Sequence, residues 1–177
     1  MTDVMNETLH CIKTRRSCRK YLNQQIREEE LQTVLEAATY APTGHGQQSP
    51  KMVVVQDAAL LQKLSLLNAR IMETLRDPFY GAPTAVIVFA DATSHTGLQD
   101  ASLVMGTLML AAHAAGLGSC WINRAKQMFE LEEGMTIKEK WGLGDNYEGL
   151  GICILGYEAE GGTVPPKPRK EDYIIRA

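Results

Sequence analysis

A chain of 177 residues, 45% hydrophobic and 22% charged, is long enough to bury one core unaided and has the balance of a soluble globular protein, so a single domain over residues 1–177 is expected. Its net charge of -3 argues against a dedicated nucleic-acid binder, which carries a strongly basic balance. The four cysteines, Cys11, Cys18, Cys120 and Cys153, form no CxxC pair and no zinc-ligand spacing; with no apolar h-region between Met1 and Lys20, reduced thiols in the cytoplasm are expected.

Asp3 to Thr14 places Met5, Leu9 and Ile12 on one face of an amphipathic helix, which runs into the basic cluster Arg15-Arg-Ser-Cys-Arg-Lys-Tyr21. A second helix is predicted from Glu28 to Ala41, with Leu31, Val34, Leu35 and Ala38 at helical spacing and Pro42 as its stop. Thr43 to Pro50 has no periodicity and reads as a loop, and Met52 to Val55 as a short buried strand. Asp57 caps a helix through about Arg70, whose inner face is Leu60, Leu61, Leu64 and Leu67. After the Pro-rich loop Asp77 to Pro83, Ala85 to Ala90 is apolar on both faces and therefore a central strand.

The stretch Asp100 to Gly116 follows, without a formal charge from Ala101 to Ile122 and with apolar residues on every face, so a helix buried all round is expected. Asp100 reads as its N-cap and Gly116 as its C-terminal stop. A membrane span needs about 20 apolar residues. This run fails that test because it is Ala-rich, holds His113 and is broken by Gly116 and Gly118. Ser102 and Gly106, and Thr107, Ala111 and Ala115, recur at i, i+4 spacing that admits another helix closely, and a second subunit is the natural source of the cover that one chain cannot supply. Ser119 to Ile122 is a short strand, Thr136-x-x-Glu139 a capping box opening a short helix that ends before Gly142, and Gly149 to Tyr157 another buried strand. The tail from Gly161 carries Lys167-Pro-Arg-Lys170 and closes on the β-prone Tyr173-Ile-Ile175. Two helices before any strand exclude a regular βαβ series; an α+β layer fold with a mixed central sheet flanked by helices fits best.

Arg15, Arg16, Ser17 and Arg19 supply guanidinium and hydroxyl donors at a density that suits a phosphate, although a solvated basic patch explains that cluster taken alone. Lys167 and Arg169 form a second basic cluster that would clamp the same anion. Gly116-Leu-Gly-Ser-Cys-Trp121 lacks the strand-to-helix context of a dinucleotide fingerprint, and Cys120 and His113 lie in an apolar run where core packing is the better reading than nucleophile and base. No paired carboxylates and no metal constellation are present, so an enzyme built this way would leave its chemistry to a bound cofactor.

Arg15-Arg-Ser-x-Arg-x-Tyr21, Leu35-Glu-Ala-Ala to Ala41-Pro-Thr, the Asp100 to Ile122 block, Tyr147 to Gly156 and Lys167-Pro-Arg169, in this order, resemble the nitroreductase family of FMN flavoproteins. The resemblance implies a homodimer with two FMN sites at the subunit interface, each built from both chains. Arg15, Arg16, Ser17, Lys167 and Arg169 would hold the phosphate and ribityl chain, and Arg19 would lie near the flavin pyrimidine. Trp121, Ile122 and Asn123 would lay their backbone against the flavin and offer an N–H to N5, with Pro42, Thr43 and Gly44 reaching across from the other subunit. Gln48 keeps its place in that loop, whereas Gly46 and Ser49-Pro50 depart from the residues the family commonly has there. The implied activity is two-electron transfer from NADH or NADPH, through FMN and without a catalytic side chain, to a nitroaromatic, quinone or similar acceptor. The rival readings are dehalogenation or flavin cleavage on the same fold, and a flavin-carrying sensor or storage protein.

Overall fold

The computed structural model describes residues 6–177. The predicted start of the first helix, Asp3 and Met5 included, lies outside them. Helix α1 runs Glu7–Thr14, capped by the Asn6 side chain, which accepts from the Leu9 N–H at 2.9 Å. Helix α2 (Glu28–Thr39) opens with the Glu30 carboxylate accepting from the Arg27 N–H at 3.2 Å. Strand β1 (Lys51–Val55) and helix α3 (Ala58–Ile71) follow, the latter capped by Asp57 as its sequence foretells.

Four strands form one sheet in the order β1-β2-β4-β3, where β2 is Thr84–Asp91, β3 is Gly118–Ile122 and β4 is Tyr147–Gly156. All three pairings are antiparallel. The expected mixed character is confined to one parallel bridge, Ser17 to Ser119, at the β3 edge. Alternation along β2 sends Ala85, Ile87 and Phe89 into one core and Val86, Val88 and Ala90 into the other, which is why this strand is apolar throughout. The first core lies under α3, α5 (Ala125–Glu130) and α6 (Glu132–Lys140); the second lies under α2 and α4 (Gly97–Ala114).

Three expectations need correction. Helix α4 begins a turn before Asp100, because the Asp100 N–H is already bonded to the Thr96 carbonyl at 2.8 Å; Asp100 sits inside the first turn and its carboxylate binds a loop instead of capping its own helix. Thr136 is likewise interior to α6, where its hydroxyl donates to the Glu132 carbonyl, and α5 precedes it as an element with too little periodicity to read. Within one chain, helix α4 is buried along one face only: Ala101, Val104, Met105, Leu108 and Ala112 point into the second core, while Leu98 and Leu103 stand 63% and 47% exposed.

Candidate functional site

The basic segment is positioned by β3. Where α1 ends, Arg15 turns extended and the chain runs beside the strand: the Cys18 N–H donates to the Ser119 carbonyl at 2.9 Å, and the Arg19 N–H donates to the Gly162 carbonyl at 2.7 Å. The Tyr21 hydroxyl closes the segment by donating to the Cys18 carbonyl at 2.9 Å. Arg16 bonds the Arg15 carbonyl at 2.5 Å, and Arg19 is exposed. Arg15 differs from both, because its Nη1 is buried and has no partner among the described residues.

Two further buried polar atoms without partners lie on β3 itself, Ser119 Oγ and Trp121 Nε1. Residues two apart share a strand face, so both are on the α4 side of the sheet, as is Cys153, paired opposite Trp121. Buried polar atoms are satisfied in the great majority of native structures, so these three donors, one on the segment bridged to β3 and two on β3 itself, are the groups here that could serve a ligand rich in acceptors. The phosphate, ribityl hydroxyls and ring carbonyls of FMN match that set. Trp121 is held by close packing on Gly151, where a Cβ would come within 2.4 Å of Nε1.

Burial pushes the Cys120 thiol up, against the opposing pull of Arg19, Ser17 and Arg15, so it stays a neutral, buried thiol beside the arginines. His113 accepts or donates to the Thr14 hydroxyl at 2.9 Å, and burial, then the charges of Arg15, His10 and Arg16, hold it below the ordinary histidine value.

The loop residues Pro42, Thr43, Gly44 and Gln48 are elsewhere. The Gly44 N–H donates to Asp100 Oδ1 at 3.0 Å, Thr96 donates to the other carboxylate oxygen, and a Cβ on Gly44 would come within 2.2 Å of the Thr96 hydroxyl. The Gln48 N–H binds the Thr43 hydroxyl at 3.0 Å. This loop therefore sits at the start of α4 and the Arg15 cluster at its end, where Thr14 meets His113. At 1.5 Å rise per residue, Asp100 and His113 are about 20 Å apart along the axis. Lys167 and Arg169 lie on an exposed tail, where Arg169 donates to the Lys167 carbonyl at 2.7 Å. The structure thus brings together Arg15, Arg16, Ser17 and Arg19 with the strand that carries Trp121 and Ile122 and leads into Asn123. It leaves the 42–48 loop apart from them and Lys167 and Arg169 exposed on a tail that departs from Gly162 beside Arg19.

One residue at the site escaped the sequence. Asn68 is fully buried, and its Nδ2 donates to the Asn123 carbonyl at 2.8 Å. Its signal was a carboxamide on the inner stripe of α3, next to Leu64 and Leu67. A cavity of about 830 Å³ between α3 and the 74–83 loop contains none of the predicted residues.

The nitroreductase family matches residues 12–157. A protein of Archaeoglobus fulgidus, provisionally named an NADH dehydrogenase/NAD(P)H nitroreductase, is 31% identical over 175 residues, which span 96% of this chain and 91% of the relative. Among solved structures, a nitroreductase with bound FMN from Bacteroides fragilis superposes with a TM-score of 0.89 at 28% identity, covering 98% of this chain and 100% of the other. One from Desulfitobacterium hafniense, also with bound FMN, gives 0.86 at 29% identity over 98% and 99% of the two chains. With the family's match running from the end of α1 to the end of β4, the chain belongs to the nitroreductase family.

Proposed function

We propose that this protein is a cytoplasmic FMN-dependent NAD(P)H oxidoreductase that reduces nitroaromatics, quinones or similar electron-poor acceptors by a ping-pong exchange of two electrons. The observation that carries the reading is the unpaired, buried Arg15 Nη1, flanked by Arg16, Ser17 and Arg19 beside β3. The FMN bound by the Bacteroides and Desulfitobacterium relatives supports it.

When bound, FMN supplies hydride acceptance from the nicotinamide and two-electron delivery to the acceptor. The chain's own work is to hold and tune it. Arg15, Arg16 and Ser17 bind phosphate and ribityl oxygens through charge-assisted bonds, with Lys167 and Arg169 added from the tail. Arg19 places a positive charge where negative charge accumulates on reduction, and the backbone at Trp121, Ile122 and Asn123 offers N–H donors to the ring edge.

The working unit in this reading is a homodimer. A flavin at Arg15 cannot reach the 42–48 loop of its own chain across about 20 Å of α4. A second copy packed on the open side of α4 around Leu103 brings its own Pro42, Thr43, Gly44 and Gln48 to that flavin. The tail, extended by Pro165, Pro166 and Pro168, leaves Ile175 88% exposed, as a segment that docks on the partner would be.

Anaerobic stopped-flow mixing tests the activity. NADH or NADPH should bleach the flavin, and a nitroaromatic or quinone added afterwards should restore its colour, with parallel double-reciprocal lines in steady state. A flavin that neither donor reduces would overturn the proposal.

A further inference from the structure

Asn68 spends its side-chain amide on one backbone carbonyl. Its Nδ2 donates to the Asn123 oxygen at 2.8 Å and approaches Met128 Sδ of α5 at 3.2 Å, while its Oδ1 is buried with no partner. A leucine at this point of the inner face, beside Leu64 and Leu67, would fill similar space and remove the unmet Oδ1, giving up only the bond to the carbonyl of the exposed Asn123. As a device for core stability alone, the carboxamide is a poor choice.

Its consequence lies one residue further on. A trans peptide is planar, so its C=O and the following N–H point in opposite directions. With the Asn123 carbonyl drawn inward to Asn68, the Arg124 N–H is turned away from α3. Arg124 is also left-handed, at φ 77 and ψ 10, a conformation rare for a residue with a side chain and one that marks a locally imposed geometry. The imposed element is thus the 123–124 peptide, at the point where β3 ends and α5 begins.

Resting on the flavin reading above, we infer that Asn68 is a positioning residue: by clamping the Asn123 carbonyl it fixes the Arg124 N–H as an outward donor to an acceptor atom on the flavin ring. The flipped amide is excluded because it would set Oδ1 against the Asn123 oxygen, two acceptors with no proton between them.

The test uses the flavin-loaded protein and two variants. Asn68→Leu removes the clamp and the unmet Oδ1 together and leaves the carbonyl of the exposed Asn123 to water; it should fold with thermal stability close to wild type, yet bind FMN roughly tenfold more weakly, the size of one lost hydrogen bond. Its flavin absorption bands should move toward those of free FMN and its midpoint potential should change, neither of which a purely structural asparagine would cause. Asn68→Asp places a carboxylate against the carbonyl and should weaken FMN more than Asn68→Leu does. Folded variants with wild-type affinity and spectrum would overturn the assignment. If neither variant folds, ¹⁵N spectra of the wild-type protein decide: FMN should shift the Arg124 backbone amide and the Asn68 side-chain amide together, and resonances that stay put would overturn it. A wild-type protein that binds no flavin would instead remove the functional reading, and this assignment with it.

Discussion

Replacing Arg15 with methionine should improve the empty protein and impair the loaded one. The buried Arg15 Nη1 has no partner, and a buried donor left unsatisfied costs about 1–3 kcal/mol. Methionine keeps the apolar stem and drops that group. In a domain of this size, each kcal/mol corresponds to roughly 2–4 °C, so the flavin-free variant should melt a few degrees above the flavin-free wild type. In the loaded state, the same nitrogen contributes a bond to a charged acceptor of about 1.5–3 kcal/mol, so Arg15→Met should bind FMN roughly tenfold to a hundredfold more weakly. Differential scanning fluorimetry with and without FMN reads both effects on one sample, since a ligand at free concentration L stabilises by RT ln(1 + L/Kd) and a weaker Kd gives a smaller rise at the same FMN concentration. The wild type should gain more from FMN than the variant does. A flavin-free variant that melts several degrees lower, or one with undiminished FMN affinity, would refute the reasoning.

Three other outcomes are expected. Gly151→Ala drives a methyl into the Trp121 indole, and overpacking of this kind costs about 1–3 kcal/mol; the melting temperature should fall and the tryptophan emission shift, whereas unchanged emission would show the ring free to move. Because burial and then Arg15, His10 and Arg16 depress the His113 pKa, the unfolded chain takes up that proton first as pH falls. The contribution of neutral His113 is therefore present above the ordinary histidine value and lost as pH drops through the folded one. His113→Gln should flatten this mildly acidic slope in urea titrations, and an identical slope would place its origin elsewhere. Deleting Pro165 to Ala177 should lower FMN affinity and dimer stability together; a tight, loaded dimer without its tail would make these residues a frayed terminus.

The sequence displays best what physics enforces along a single element. Ala85 to Ala90 is apolar at every position because both of its faces are covered, and Asp57 announces α3 because a cap bonds its own helix. Asp100 misleads for the converse reason: its carboxylate is spent on Gly44, more than fifty residues away, so a cap-like residue at the right spacing caps nothing. The apolar residues on every side of α4 are only partly covered within the chain, which buries Ala101, Val104, Met105, Leu108 and Ala112 and leaves Leu98 and Leu103 exposed. At the site, Arg15 to Arg19 are legible as a dense run of donors, and their pinning along Ser119 follows from no local rule. Asn68 was legible only as an oddity on an apolar stripe, since its partner Asn123 lies on another element.

Sedimentation velocity followed at both the protein and the flavin absorption bands tests the central claim most directly. A site assembled from Arg15 of one chain and the 42–48 loop of another requires the flavin signal to travel only with the dimer, at one FMN per chain, and to be released as FMN on denaturation. Flavin sedimenting with a monomer, or a dimer that stays colourless with FMN in excess, would contradict it.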